Sequence, residues 1–346
     1  TLGAVEAARS LGRRCDVRLA VERSEFIAAT YARNFDPAYG SDASSVEKWF
    51  DGAPNERLSL EERRTKRLLG DVDLLVGGPP CQGHSNLNNH TRGRDPKNSL
   101  YLKMVRAAEV VEPSAIVVEN VPGLERDSGH VLDLATRHLQ RLGYRIDLGV
   151  VGIDEVGVAQ LRRRHVLVAH RENRPDLRSA VSLARPTRPR TLRWAIGDLM
   201  KREGKSSLDA PSVLSAENRA RARYLLENDL YDLPNARRPP CHRSPHRYKS
   251  MYGRLRWSEP AQTITTGFGS PGQGRYLHPE RLRTLTAHEA ARIQFFPDWF
   301  DFSPIPHRTA LAEAIGNAVP PKLVFVLARH LLALGMSANR EVSATG

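Results

Sequence analysis

Cysteine is scarce: Cys15, Cys81 and Cys241 are the only three in 346 residues. They are too few and too far apart for a disulfide framework, so each is left to packing or to chemistry. No run of eighteen or more apolar residues occurs, and no charged-then-apolar leader opens the chain. A membrane span, a membrane partner and a secretory signal are therefore not expected, and a cytoplasmic protein is. No internal repeat is visible, which argues against a solenoid. What remains, 346 residues with 40% hydrophobic content, can bury a sizeable core as one large domain or two unequal ones.

Acidic residues run short in one place. Between Gln160 and Arg256 there are 23 Lys and Arg against 9 Asp and Glu, a net of +14, while the rest of the chain carries −1 of the total +13. A solvated arginine-rich surface would read the same way. A basic region this concentrated also suits a polyanion, because it neutralises phosphates and releases their counterions.

The first 170 residues alternate short apolar runs with helical patterns, as parallel α/β sheets do. Strands are expected at Val17–Val21, Asp73–Gly77, Ala115–Val118 and His165–Ala169. Helices are expected from Ser24 to about Phe35, from Ser99 to Glu112 with Pro113 as the stop, and from His130 to Leu142 closed by Gly143. From about Arg171 to Gly274 proline and arginine dominate, which predicts a loop-rich second domain. Helix returns at Thr286–Phe295 and from about Thr309 through Leu334.

Ligands of an open parallel sheet gather beyond the carboxyl ends of its strands. Cys81 follows one such end in Gly77-Gly-Pro-Pro-Cys-Gln-Gly-His-Ser85, where proline stiffens the turn and glycines permit close approach. Glu119 follows the next end in Glu119-Asn120-Val121-Pro122-Gly123, and the two should be neighbours. Gln160-Leu-Arg162-Arg-Arg164 lies beside a third strand. Alone, a Pro-Cys pair reads as a packed turn and an acid at a strand end as a helix cap.

Together with Arg283 through Pro297 and Gly316-Asn317, these segments occur in the order and rough spacing of the motifs of cytosine-5 DNA methyltransferases, which the chain resembles over almost its whole length. The resemblance implies a doubly wound, mostly parallel α/β sheet of the Rossmann-like class I methyltransferase type. A catalytic domain over residues 1–170 and 283–346 would enclose a loop-rich target-recognition domain over 171–282. Cys81 would add as a thiolate to carbon 6 of cytosine and Glu119 would act as the acid at the ring nitrogen. Asn120 would hold the loop. Arg164 would donate to the base carbonyl, and Arg162 would help orient Glu119 and favour the thiolate. The target atom is unreachable in a stacked duplex, so the nucleotide must flip out, with residues 85–98 as the closing loop.

The same resemblance implies S-adenosyl-L-methionine as cofactor. Glu22 would take the ribose hydroxyls and Asp42 the adenine; Pro79 and Leu100 would line the cleft and Asn317-Ala318 would close it. The family's glycine-rich loop after its first strand has only a tail here, Thr1-Leu2-Gly3, so a truncated start and weakened cofactor binding are expected. Duplex DNA is the expected partner, with Gln82, Ser85, Arg243, Arg247, Arg254 and Thr263 as contacts, joined by His242 and His246. A cognate restriction endonuclease is a further expected partner, and the chain is expected to be a monomer. Cys241-His242 with His246 offers too few ligands for a metal, and none is expected. The rivals are the transfer-RNA-methylating branch of the same fold and a catalytically silent DNA-binding protein.

Overall fold

The computed structural model describes residues 1–79, 99–126, 130–201, 206–243 and 250–344. In chain order the elements are α1 (Leu2–Ser10), β1 (Ala20–Val21), α2 (Glu25–Phe35), β2 (Ser41–Asp42), α3 (Leu60–Leu69), β3 (Leu74–Gly77), α4 (Ser99–Val111), β4 (Ala115–Asn120), α5 (Val131–Arg141) and β5 (Arg145–Gly152). There follow β6 (Gln160–Leu161), β7 (Arg163–His170), α6 (Leu177–Ala184), α7 (Leu192–Ile196), α8 (Ala216–Glu227), β8 (Ala261–Gln262), α9 (Ala287–Ile293), α10 (Arg308–Asn317) and α11 (Pro321–Ala344). They form two compact units. One comprises Thr1–Val156, Arg163–Arg185 and Pro321–Gly346; the other comprises Gly157–Arg162 and Pro186–Pro320. The main unit limits, 185/186 and 320/321, thus fall later along the chain than the motif-based divisions at 170/171 and 282/283, and Gly157–Arg162 joins the second unit ahead of them.

The first unit is built on a four-stranded sheet in the order β3-β4-β7-β5. β3 and β4 are parallel, with Gly77 beside Val118, while β7 runs antiparallel to both β4 and β5. Three strands therefore share a direction and β7 alone opposes them. His165-Val-Leu-Val-Ala-His170 is buried throughout and only Arg163 and Arg164 at the start of β7 are not, as expected of a strand covered on both faces. Tyr101, Val105 and Ala108 of α4, Ala135 and Leu139 of α5, and Ile116, Val118, Leu167 and Ala169 of the sheet form one apolar cluster. α4 ends where Glu112 turns to a φ of 48° ahead of Pro113, and α5 ends at Gly143 with a φ of 89°, a conformation glycine adopts without a side-chain clash.

Several expectations need correction. The first strand is two residues long rather than the five of Val17–Val21, and β4 continues through Glu119 and Asn120. β5 has no counterpart in the sequence reading, because Arg145, Asp147 and Gly149 interrupt its apolar residues. The single helix expected over 309–334 is two, α10 and α11, parted at Ala318-Val-Pro320; Pro320 and Pro321 supply no backbone N–H to continue the ladder. The stretch Arg308–Met336 is long and apolar enough, by length and composition, to cross a membrane. Within it α11 buries Leu323, Val324, Val326, Leu327, Ala328 and Leu331 and packs on α1, α6, β4 and β7. Core packing accounts for its apolarity.

The second unit contains the short parallel pair β6–β8 and a core of Leu214, Ala222, Leu225, Leu233, Tyr252 and Leu277. α9 starts with a capping box, Thr286 and Glu289 each bonding the other's backbone N–H.

Candidate active site

The sheet of the first unit brings two of the expected catalytic groups together. Glu119 faces Val166 across the β4–β7 ladder, so Arg164, two residues back, lies diagonally opposite on the same face. Arg164 Nε meets Glu119 Oε1 at 2.6 Å, and the two side chains are only 14% and 12% exposed. Burial pulls the Arg164 guanidinium below its ordinary pKa, and the Glu119 carboxylate opposes that shift. An orienting contact of the kind expected of Arg162 therefore comes from Arg164.

Asn120, at the end of β4, ties down the loop that leads to the candidate nucleophile. Its Nδ2 donates to the Pro79 carbonyl at 3.3 Å and its Oδ1 accepts the Val121 N–H at 2.7 Å. The parallel register already sets Gly77 next to Val118, so β3 ends alongside the strand that carries Glu119. Gly77 itself lies tight against α4: a Cβ there would stand 2.3 Å from Met104. Cys81, Gln82, Ser85, His246 and Arg247 lie outside the described residues.

Two of the candidate cofactor residues are also neighbours. Val21 pairs with Asp42 across β1–β2, and the Glu22 N–H donates to the Asp42 carbonyl at 3.1 Å. Both carboxylates thus stand at the carboxyl ends of adjacent parallel strands, where a nucleoside would be bound. Glu22 Oε1 accepts the Ser24 N–H at 3.0 Å. Asp42 Oδ2 is held by Ser44 at 2.7 Å, Trp49 Nε1 at 2.6 Å and Lys48 at 3.0 Å. Burial raises the Asp42 pKa, but the bonds from Ser44, Lys48 and Trp49 outweigh it and hold the carboxyl below its ordinary value. Pro79 and Leu100 are half-buried in the first unit; Asn317, the exposed last residue of α10, and half-buried Ala318 belong to the second.

In the second unit, Gln160 and Arg162 anchor a buried polar knot. Gln160 Oε1 accepts the Ile264 N–H at 2.9 Å, and its Nε2 donates to Gln294 Oε1 at 2.9 Å. Gln294 Nε2 passes the link on to the Ile315 carbonyl at 2.6 Å and the Ala318 carbonyl at 3.3 Å. Arg162 Nη1 spans the same two segments, donating to Ile264 O at 2.8 Å and Gly316 O at 3.1 Å. A Cβ at Gly316 would sit 2.4 Å from the Thr266 nitrogen, so only glycine allows this approach. Thr263 Oγ1 donates to Leu161 O at 3.0 Å. The candidate recognition element at 263–264 and the candidate cofactor element at 316–318 are thereby stitched to one another. Gln294 was missed from sequence; its signal was an amide set between Ile293 and Phe295-Phe296.

Arg254, expected on DNA, is 6% exposed. Its guanidinium bonds Asp229 at 2.5 Å and the Pro279 carbonyl at 3.2 Å and lies 4.2 Å over the Tyr231 ring. These partners make it a structural residue of the second unit, out of reach of a phosphate. Arg243 is exposed.

The family model of C-5 cytosine-specific DNA methylases matches residues 3–333. The chain belongs to the C-5 cytosine-specific DNA methylases. It is 43% identical over 333 residues to the Type II methyltransferase M1.BsuMI of Bacillus subtilis, covering 96% of this chain and 77% of that one. It is 33% identical over 275 residues to the Type II methylase M.HgiDII of Herpetosiphon aurantiacus, covering 75% of each. The crystal structure of the S. pombe Dnmt2 methyltransferase superposes with a TM-score of 0.66 at 16% identity, covering 96% of both chains, and so shares the fold. This member of the family is a DNA cytosine-5 methyltransferase with the α/β class I architecture, and the two bacterial relatives are Type II modification methyltransferases. These relatives favour the DNA reading over both rivals.

Proposed function

We propose that this methyltransferase acts through Cys81 and Glu119 on a cytosine flipped out of duplex DNA. The Glu119–Arg164 ion pair beside the Asn120-anchored loop is the observation that carries the reading. The Cys81 thiolate adds to carbon 6, and Glu119 relieves the charge that builds on the ring by protonating or hydrogen-bonding its nitrogen. The resulting enamine is nucleophilic at carbon 5. Arg164 holds Glu119 on one side and reaches for the base carbonyl. Once carbon 5 is methylated, loss of its proton and departure of Cys81 restore aromaticity and free the thiolate.

The paired carboxylates at the ends of β1 and β2 fit a nucleoside cofactor. Glu22 would hold its ribose, Asp42 its adenine, Pro79 and Leu100 its flank, and Asn317-Ala318 its far side. S-adenosylmethionine bound there would supply an electrophilic methyl group. Residues 1–170 with 283–346 would serve catalysis and 171–282 target recognition, with Gln82, Ser85, Arg243, Arg247 and Thr263 on the DNA. A cognate restriction endonuclease, a monomeric state and a cytoplasmic, nucleoid-associated location complete the reading.

The test is transfer of labelled methyl from S-adenosylmethionine to duplex DNA. Cys81→Ser is expected to abolish transfer while leaving DNA binding intact; transfer that survives the substitution refutes the assignment of the nucleophile.

A further inference from the structure

The second unit contains two kinds of arginine resting on aromatic rings. One kind is neutralised. Arg254 and Arg256 lie 4.2 and 4.5 Å over the Tyr231 ring and pair with Asp229, and with Asp232 and Glu259, respectively. Arg193 lies 4.8 Å over Trp257 and pairs with Glu280. The nearby acids Asp229 and Asp232 are consumed in these pairs, Asp232 also by Arg275.

The other kind is not. Arg237 lies 3.8 Å over the Tyr224 ring, and Arg221 lies 5.6 Å over Tyr252. The two arginines touch, since Arg221 Nε donates to the Arg237 carbonyl at 3.3 Å and Arg221 Nη1 to Asn218 at 2.8 Å. Arg243 joins them from the next turn. Its Nε donates to the Arg238 carbonyl at 2.8 Å, and its own carbonyl accepts from Asn235 at 3.1 Å. The intervening chain, Pro234-Asn-Ala-Arg-Arg-Pro-Pro240, forms two short 3-10 turns (Asn235–Arg237 and Pro240–His242), and its prolines stiffen it. Among the described residues, no carboxylate lies within ion-pair distance of Arg221, Arg237 or Arg243.

A guanidinium laid flat on a ring has its plane fixed while its N–H edges stay available. Two such guanidinia, Arg221 and Arg237, with the exposed Arg243 beside them on a proline-stiffened turn, concentrate positive charge that no ion pair among the described residues cancels; Glu217, one turn before Arg221 on α8, feels its charge without pairing with it. We propose that Arg221, Arg237 and Arg243 form a phosphate clamp that docks the second unit on the DNA backbone, with Tyr224 and Tyr252 as its platform. This rests on the proposed action on duplex DNA and makes the clamp a register-setting element rather than a reader of bases. It also exchanges Arg254, neutralised and buried, for Arg221 and Arg237 as DNA contacts.

The experiment measures the salt dependence of binding to a target duplex and to an unrelated duplex by the full chain. Each lost phosphate contact should flatten the slope of log K against log salt by about 1. The double variant R237Q/R243Q is expected to lower the slope by about 2 and to weaken both duplexes alike, so that the preference between them is kept. R237K/R243K, which retains both charges, should hold the slope near its original value, and R256Q, from a neutralised stack, should not change it. An unaltered slope in R237Q/R243Q, or a change confined to the target duplex, overturns the clamp. Methyl transfer at saturating DNA is read in parallel. The two failures are told apart by the unsubstituted chain: if it transfers methyl while R237Q/R243Q leaves the slope unaltered, only the clamp is overturned, whereas an unsubstituted chain that binds DNA but transfers no methyl refutes the proposed reaction instead.

Discussion

The Glu119–Arg164 pair offers the sharpest check on the proposed active site. At 2.6 Å, with each side chain about seven-eighths buried, the direct attraction at an effective dielectric of about 20 is on the order of 4–6 kcal/mol. Desolvation of both ions offsets most of it, so the pair need not add net stability over an apolar substitute. Breaking it is another matter. Arg164→Met leaves a nearly buried carboxylate without its cation, which should cost about 3 kcal/mol. Glu119→Gln leaves the guanidinium a neutral acceptor and should cost less. In a double-mutant cycle the second substitution should therefore cost much less in the presence of the first, with a coupling of about 1.5 kcal/mol or more. The assay is denaturant unfolding of the four proteins, with methyl-transfer rates measured on the same samples. In transfer, Glu119→Gln should lower kcat by about 10²–10⁴-fold, the range for loss of general acid catalysis, and Arg164→Met should add little to that loss. If the two substitutions are additive in stability within about 0.5 kcal/mol, the limit for independent sites, the ion pair does not exist in solution and Arg164 has no part in orienting Glu119.

Two further outcomes are expected. Gln294→Leu cuts the amide link between Ile264 and the 315–318 segment; it should weaken both DNA and cofactor binding, whereas Thr263→Val should weaken DNA binding alone, and equal effects of the two on cofactor titration would contradict the coupling. Arg106 is wholly buried, with Nε and Nη2 on the two Glu62 oxygens at 2.8 and 2.5 Å and Nη1 on Glu109 at 2.8 Å. Burial alone would raise the Glu62 pKa, but the bonds from Arg106 and from the Ser59 and Gly52 N–H groups hold it below its ordinary 4.5. Its contribution to stability is therefore complete above that value and lost as pH falls through the lower, folded one. Arg106→Met should cost about 3–5 kcal/mol at neutral pH and reduce the loss of stability on acidification, as seen in urea midpoints measured from pH 6 to 3; an undiminished acid dependence would show that Glu62 is not the group responsible.

Much was legible in the chain without coordinates, for reasons that are local. Apolar runs bounded by glycine and proline placed β3 and β4, and a run of Val, Leu and Ala between arginines placed β7, because strand formation follows side-chain pattern and turn chemistry. The ordered motifs from Gly77 to Asn317 carried the family, since a nucleophile, an acid and their supports recur at strand ends in sequence order. The basic segment from Gln160 to Arg256 suited a polyanion partner, but charge alone did not separate that from a solvated surface; the ordered motifs did.

What could not be read locally depends on partners distant in the chain. Arg162 and Arg164 look alike in Gln160-Leu-Arg-Arg-Arg164, yet one bonds the carbonyls of Ile264 and Gly316 while the other meets Glu119. Strand register, together with the crossing of the chain between its two units at Arg162–Arg163, separates their roles. Arg254 and Arg237 likewise share one composition. Asp229 neutralises the first, and no carboxylate of the described chain reaches the second. Charge in a sequence counts ions, but only the fold decides which ions cancel, because the strength of an ion pair depends on distance and burial that the order of residues does not contain.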